Sequence, residues 1–167
     1  TNIPYYYHSG GNFFHKREIL DILIFIKFLF NPHDDVNFIG LLRTPWVGFS
    51  DSEIQNFKSH QRGKNSFFTY LYTANSEIRF VQLFNYLEDF SKKGLAETLL
   101  KFLFSSGLLV TSFHTDPSGQ TESNIWKFLN WVDEIVNDES KDLLFEISQV
   151  LDSSMDEMEL ESESSAL

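Results

Sequence analysis

The sequence predicts an all-α fold, a helical bundle-like subdomain of about seven or eight helices with a short strand at its N-terminal end. Apolar residues recur at intervals of three and four along most of the chain, which is the spacing of a buried helix face. Capping and breaking residues separate these periodic stretches, and only the opening residues TNIPYYYHS suit a strand. With 167 residues, 42% of them hydrophobic, the chain can bury the core of one domain.

Start and stop signals define the helices of the first half. Asn31-Pro32 ends the first helix, because proline cannot continue it. A carboxylate of Asp34 or Asp35 can accept the free first-turn amides of the second helix, and Ser50 with Glu53 has the form of a capping box. The eight predicted helices cover residues 13–30, 36–42, 50–57, 66–74, 76–94, 95–107, 124–137 and 141–152.

Glycines end two helices of the second half, at Gly94 and Gly107, and residues 114–123 are predicted to form a polar loop. Ser76 is the expected cap of helix 76–94. The predicted inner face of that helix contains Ile78, Val81, Leu83, Phe84, Leu87 and Phe90.

The net charge of −11 is unevenly distributed. Residues 1–75 carry seven Lys or Arg and six Asp or Glu, whereas residues 76–167 carry six and eighteen. Only the first half is therefore a plausible electrostatic match for phosphate. The last stretch, residues 152–167, has six acids, no base and many serines. It is predicted to be an acidic, Ser-rich linker, with a docking tail as the alternative.

Motifs for catalysis are missing from the chain. It contains no phosphate-binding loop, dinucleotide-binding motif, zinc-protease motif or nucleophile elbow. The nearest approach to a metal cluster is His33 beside Asp34 and Asp35, which is more typical of an acidic helix start. No apolar run reaches the length of a membrane span. We therefore expect no catalytic residue, metal or cofactor here, and no membrane contact.

A fifty-residue stretch, IPYYYHSGGNFFHKREILDILIFIKFLFNPHDDVNFIGLLRTPWVGFSDSEI, resembles the UvrD-like superfamily 1 DNA helicases. It is similar to the region where the second motor domain, 2A, leads into the inserted 2B subdomain. The match to PHDD and WVGFSD favours the helicase-nuclease branch of AddA or RecB type. The matching residues are Ile3, Pro4, Tyr5, Gly10, Gly11, Phe13, Phe14, Arg17, Glu18, Ile19, Asp21, Asn31, Pro32, Asp34, Asp35, Thr44, Pro45, Gly48 and Asp51.

The resemblance implies a division of the chain into three parts. Residues 1–12 would be the edge of motor domain 2A, with its strand and Gly-Gly turn, residues 13–151 a 2B-like accessory subdomain, and residues 152–167 the linker. The chain, which does not begin with Met, is then expected to be a non-catalytic piece of a cytoplasmic DNA helicase or helicase-nuclease for repair or recombination. ATP and Mg would bind elsewhere in the parent. The implied partners are DNA, the remaining helicase domains and a second helicase-nuclease subunit.

The resemblance also implies a DNA contact. In the family, the 2B subdomain grips duplex DNA partly through the backbone of a glycine turn, and Gly48 matches that turn. Without a side chain, its peptide could approach a phosphate, next to the amides of the following helix start. Ordinary surface charge is the alternative for the basic residues. The candidate DNA-binding residues are Gly48, Phe49, Ser50, Arg43, Lys58, Arg62 and Lys64.

A second set of residues matches the junction between the motor and the 2B subdomain. Gly10 and Gly11 would turn the chain out of the strand, with contact to single-stranded DNA as the alternative. Phe13 and Phe14 are expected to pack rather than to stack on bases, because stacking requires exposure. The junction continues with Arg17 and Glu18, which open the first helix.

One function of another class remains open from the sequence. The chain could be an all-helical protein-interaction module, whose acidic surface binds a basic or aromatic partner and which no longer contacts DNA.

Overall fold

The structure, a computed structural model, describes residues 13–61, 63, 65–74 and 77–151. All regular structure in these ranges is helical, which confirms the all-α prediction; the expected strand lies outside them. The helices are α1 (Arg17–Phe30), α2 (Asp35–Leu42), α3 (Asp51–His60), α4 (Phe67–Ala74), α5 (Ile78–Lys93), α6 (Leu95–Ser105), α7 (Leu108–Thr115), α8 (Gln120–Val136) and α9 (143–151).

The chain divides into two compact units, and the division falls within α1. Among the described residues, 13–23 and 116–151 form the terminal unit, and Ile24–Thr115 forms the central unit. The predicted segments 1–12 and 152–167 lie outside the described residues, so the division into motor edge, subdomain and linker stays a prediction.

Aromatic side chains make up much of the core of the central unit. Phe25 of α1 stacks on Phe102 of α6, with ring centroids 4.1 Å apart, and Phe28 stacks on Phe38 of α2 at 5.7 Å. All four side chains are fully buried. Burial of one Phe side chain contributes about 1.5–3 kcal/mol, so this aromatic cluster fixes the positions of three helices of the central unit.

Two consecutive aspartates accept hydrogen bonds from the first amides of two different helices. The Asp34 carboxylate accepts hydrogen bonds from the first-turn amides of α2, as predicted. The Asp35 carboxylate instead accepts the Phe67 amide of α4 at 2.7 Å, and His33 Nδ1 lies 2.8 Å from Ser66 Oγ. These side chains therefore serve helix starts, and no group of three or more His, Asp or Glu that could hold a metal is found in the described ranges.

Three details of the helix prediction were wrong. No helix was predicted over the residues of α7, because LLVTSFHT offers neither a cap nor a charged face. Helix α8 begins at Gln120, inside the predicted loop. The reason is Asp116, whose carboxylate accepts hydrogen bonds from both the amide and the hydroxyl of Thr121 and so starts the helix early.

The third error concerns the buried face of α5. Ile78 and Val81, predicted to face inward, are 66% and 36% exposed. The buried residues are Phe80, Leu83 and Tyr86, because this side of α5 meets the segment before α3 and helix α6 through ring contacts. The predicted cap Ser76 lies outside the described residues.

In the described part of the chain, no single helix is both long and apolar enough to cross a membrane. Helices α6 and α7 together meet the criteria of length and composition, but they are bent by 52° at the break between them.

Candidate nucleic-acid interface

The candidate site is centred on the segment that joins α2 to α3, residues 44–50, which we call the Gly48 turn. Gly48 has a φ of +74°, a left-handed conformation that costs about 1–2 kcal/mol for a residue with a side chain. Its amide donates to the Thr44 carbonyl at 2.8 Å, and the Phe49 amide donates to the Leu42 carbonyl at 2.9 Å. The first hydrogen bond closes the turn on itself, and the second joins it to the end of α2.

Arg79 of α5 fastens the same turn from the other side. Its Nη1 donates to the Gly48 carbonyl at 3.0 Å, and its guanidinium carbon lies 3.6 Å from the centroid of the Phe49 ring. The Phe49 ring also stacks on the Phe80 ring of α5, with ring centroids 4.6 Å apart. Phe49, only 4% exposed, therefore anchors the turn to α5 and is not a surface contact.

The start of α3 is closed by a complete capping box. The Ser50 hydroxyl accepts the Glu53 amide, and the Glu53 carboxylate accepts the Ser50 amide at 2.8 Å, as the sequence predicted. Glu53 also accepts a hydrogen bond from Arg79 at 2.9 Å. The Ser50 amide, together with Arg79, lowers the pKa of Glu53 from 4.5 to about 2. Glu53 is therefore ionised at neutral pH.

These hydrogen bonds change the expected chemistry of the turn. The amides of Gly48, Phe49 and Ser50 all donate within the chain, so they are not available to a phosphate in this conformation. The Ser50 hydroxyl is engaged in the capping box, so the exposed hydroxyl left at the helix start is that of Ser52, whose Oγ lies 3.0 Å from Ser50 Oγ.

The basic candidates lie at both ends of α3. Arg43 is exposed, and its Nε donates to the Asp51 carboxylate at 2.6 Å, which places it beside the start of the helix. Lys58 is in the last turn, with its Nζ 5.8 Å from the Phe67 ring centroid. It follows Ser50 by eight residues, about 12 Å along the helix. Arg62 and Lys64 lie outside the described residues.

The junction residues that the structure describes all belong to the terminal unit. Phe14 is 6% exposed and meets the Trp131 ring of α8 edge to face at 5.1 Å; Phe13 meets Phe14 at 5.1 Å. Burial favours packing over base stacking for Phe14. Arg17 is exposed, and Glu18 accepts a hydrogen bond from the buried Asn124 at 2.9 Å. Gly10 and Gly11 lie outside the described residues.

Comparison with known protein families shows to which of them the chain is related. The family model described as the UvrD-like helicase C-terminal domain matches residues 1–90, more than half of the chain. The chain belongs to this family. The matched part of this UvrD-like chain includes helices α1 to α4, most of α5 and the whole Gly48 turn, whereas α6 to α9 lie beyond it.

Curated relatives of this UvrD-like chain are long helicases. The ATP-dependent DNA helicase PcrA of Staphylococcus epidermidis is 25% identical over 83 residues, which are 50% of this chain and 11% of that protein. An ATP-dependent helicase/nuclease subunit of Staphylococcus saprophyticus is 27% identical over 103 residues, 61% of this chain and 8% of that protein.

The corresponding ATP-dependent helicase/nuclease subunit of Desulforudis audaxviator is 38% identical over 53 residues, 32% of this chain and 4% of that protein. The chain thus spans between 4% and 11% of the length of these three relatives. No solved structure matches the chain significantly.

Proposed function

We propose that this UvrD-like chain is a non-catalytic, 2B-like subdomain of an ATP-dependent DNA helicase, and that it contacts duplex DNA and regulates the motor. The observation that carries the proposal is the Gly48 turn. It lies inside the part matched by the family, exposes a glycine in a left-handed conformation and is fastened by hydrogen bonds to α2 and α5. A rigid backbone without a side chain is suited to approach the sugar-phosphate backbone of a duplex.

The contact would be made by side chains around the turn. The hydroxyl of Ser52 and the cation of Lys58 are exposed on α3, and the exposed cation of Arg43 lies beside the start of α3, paired with Asp51. Such groups bind phosphate oxygens without reading the base sequence. The contact is therefore expected to be independent of sequence and sensitive to salt.

The rest of the proposed activity belongs to the parent protein. ATP and Mg would bind to its motor domains, which are also the partners of this subdomain. A second helicase-nuclease subunit is a further partner if the parent is of the helicase/nuclease type named for two of the relatives above. A DNA helicase of this kind would act in the cytoplasm in repair or recombination.

A protein-interaction module is the second candidate function, and one surface favours it. Residues 102–115 contain no Asp, Glu, Lys or Arg, and four apolar side chains of α6 and α7 are 44–69% exposed. Exposed apolar surface of this kind is typical of protein contacts. The four residues are Leu100, Phe104, Val110 and Phe113.

Fluorescence anisotropy of a labelled duplex with a 3′ overhang separates the two candidates. We expect the 167-residue chain to bind the duplex, with an affinity that falls between about 50 and 200 mM salt. Lys58→Glu should weaken binding about fivefold and reduce the salt slope by about 1, because one phosphate contact is lost. Circular dichroism checks that the variant is folded.

The matched control is Lys127→Glu, which reverses an exposed lysine on α8 of the terminal unit. It should leave the affinity within about twofold, since a contact at the Gly48 turn does not use it. Absence of binding at low salt, or equal losses in the two variants, would contradict a duplex contact at the turn. If Phe104→Ser then disrupts association with the remaining helicase domains, the interaction module is favoured.

A further inference from the structure

A cleft opens beside the Gly48 turn, within the central unit. Its walls come from the turn, from one face of α5 and from the end of α6, and it encloses about 220 Å³. This volume is below the range of about 300–1,000 Å³ that holds a drug-sized ligand. It therefore fits a single chemical group. We call it the Trp46 cleft, and its polar or aromatic lining includes Trp46, Arg79, Asn85, Tyr86, Lys101 and Ser106.

The lining of the Trp46 cleft contains basic side chains and no acidic ones. Two cations, Arg79 and Lys101, line it, and no carboxylate among the residues that the structure describes does. Arg79 is already paired with Glu53 and Glu77, whereas Lys101 is paired with Asp89. In a chain of net charge −11, Lys101 therefore makes this recess a place where an anion can be held.

The donors of the cleft can serve a ligand as well as the protein. Lys101 pairs with the Asp89 carboxylate, yet an ammonium group has three donors, so two remain. The lysine is 47% exposed. The amide of Asn85 is at the surface of the same cleft, and it can donate two further hydrogen bonds. A ligand that is rich in acceptors matches this set.

Trp46 adds a further donor. Its ring lines the cleft, and its Nε1 is buried without a hydrogen-bond partner anywhere in the described ranges. Buried donors are normally paired. An oxyanion in the cleft, after a small rotation of the indole, would supply the acceptor.

We propose that the Trp46 cleft is a binding site for a phosphate group, with Lys101 as its principal charge. The inference extends the proposed function, because a backbone phosphate of the duplex held there would continue the contact that begins at the Gly48 turn. Free phosphate is the other source of the same chemistry. The two sources are distinguished by the measurements below.

The first measurement compares two lysines by duplex anisotropy. Lys101→Glu reverses a charge in the cleft, whereas Lys92→Glu reverses a solvated lysine of α5 that pairs with Glu88 outside it. We expect Lys101→Glu to weaken duplex binding at least fivefold and to reduce the salt slope by about 1. Lys92→Glu should change it by less than about twofold. Lys101→Gln removes the positive charge without placing a negative one beside Asp89, and it should also weaken duplex binding.

The second measurement follows the indole N–H resonances of the three tryptophans while inorganic phosphate is added. The resonance of Trp46, assigned with Trp46→Phe, should move and saturate, and those of Trp126 and Trp131 should not. Lys101→Gln should abolish the shift. Acetate at the same ionic strength is the control, and an equal shift with acetate would contradict a phosphate site.

The outcomes separate this inference from the proposed function. If the duplex binds and Lys58→Glu weakens it, but phosphate leaves Trp46 unmoved, the cleft is not a phosphate site, whatever Lys101→Glu does, and the proposed function stands. If phosphate moves Trp46 through Lys101 and the duplex does not bind, the proposed function fails and the site takes free phosphate. The site is also assigned to free phosphate if added phosphate shifts the Trp46 resonance while Lys101→Glu and Lys92→Glu bind the duplex equally well.

Discussion

At the scale of single residues, alanine substitutions at Gly48 and Gly40 test whether the Gly48 turn has a left-handed backbone. Gly48→Ala should lower the free energy of unfolding by about 1–2 kcal/mol, because alanine resists a φ of +74°. Crowding is not the cause, since the added Cβ would meet its nearest atom, the Pro45 carbonyl oxygen, at an ordinary 3.6 Å. Urea denaturation measures the change.

Gly40→Ala is the matched control, with the opposite sign. Gly40 lies within α2 and does not have a positive φ, and an added Cβ would lie 3.9 Å from the Ile24 side chain. Alanine in a helix interior is better than glycine by about 0.5–1 kcal/mol, so this variant should be more stable than the wild type. Equal effects of the two substitutions would show that the left-handed turn is not formed.

Glu53 makes stability dependent on pH in the acid range. Its pKa is 4.5 ordinarily and about 2 in the folded chain, because of its hydrogen bonds with Ser50 and Arg79. A lowered pKa in the folded state stabilises the protein above the unfolded value, and this contribution is lost as the pH falls from about 4.5 toward 2.

Urea denaturation of wild type and Glu53→Gln across this range measures the contribution. The wild type should be the more stable protein at about pH 6, and the difference should shrink steadily below about pH 4.5. A difference that does not change with pH would mean that the Glu53 carboxylate is not held by Ser50 and Arg79.

At the scale of helices, Asp35 joins two elements that are distant in sequence. Its carboxylate accepts the Phe67 amide at the start of α4, so Asp35→Ala should cost about 1 kcal/mol, as the loss of a helix cap does. Asp35→Asn retains an acceptor and should recover most of the stability. Asp133→Ala, an exposed carboxylate of α8, is the control and should have little effect; an equal loss there would contradict the cap.

Local signals allowed most of the helices to be predicted from the sequence. The capping box of α3, the Asp34 cap of α2 and the glycine at the end of α5 depend on residues near one another in the chain. Helix α7 has no such signal. The early start of α8 depends on a contact that is also local, between Asp116 and Thr121, but the polar composition of residues 114–123 favoured a loop there. The buried face of α5 is set by packing against other elements, which apolar spacing cannot specify.

The candidate site was predictable only in part for the same reason. A glycine turn before a capped helix is visible in the sequence, so Gly48 and Ser50 could be identified. Arg79 was missed, because it follows Gly48 by 31 residues and approaches it only through the packing of α5. The signal that could have found it is modest, a single arginine in the first turn of an amphipathic helix.

At the scale of the whole molecule, duplex contact is expected on the half of the sequence that is not acidic. Residues 1–75 carry seven Lys or Arg and six Asp or Glu, so the entire negative excess lies after residue 75. The Gly48 turn and helix α3 precede that point, and a duplex at the turn would therefore meet the part of the sequence that repels phosphate least.

Site-specific crosslinking can show where a duplex lies on the chain, because the chain contains no cysteine and a single one can be introduced without background. Ser52→Cys places a photoreactive group beside the Gly48 turn, and Ser148→Cys places the same group on α9 as the control; both serines are exposed. With a duplex that carries a 3′ overhang, we expect crosslinks from position 52 to nucleotides of the duplex and none from position 148. Crosslinks of equal yield from both positions, or from position 52 to the overhang alone, would contradict it.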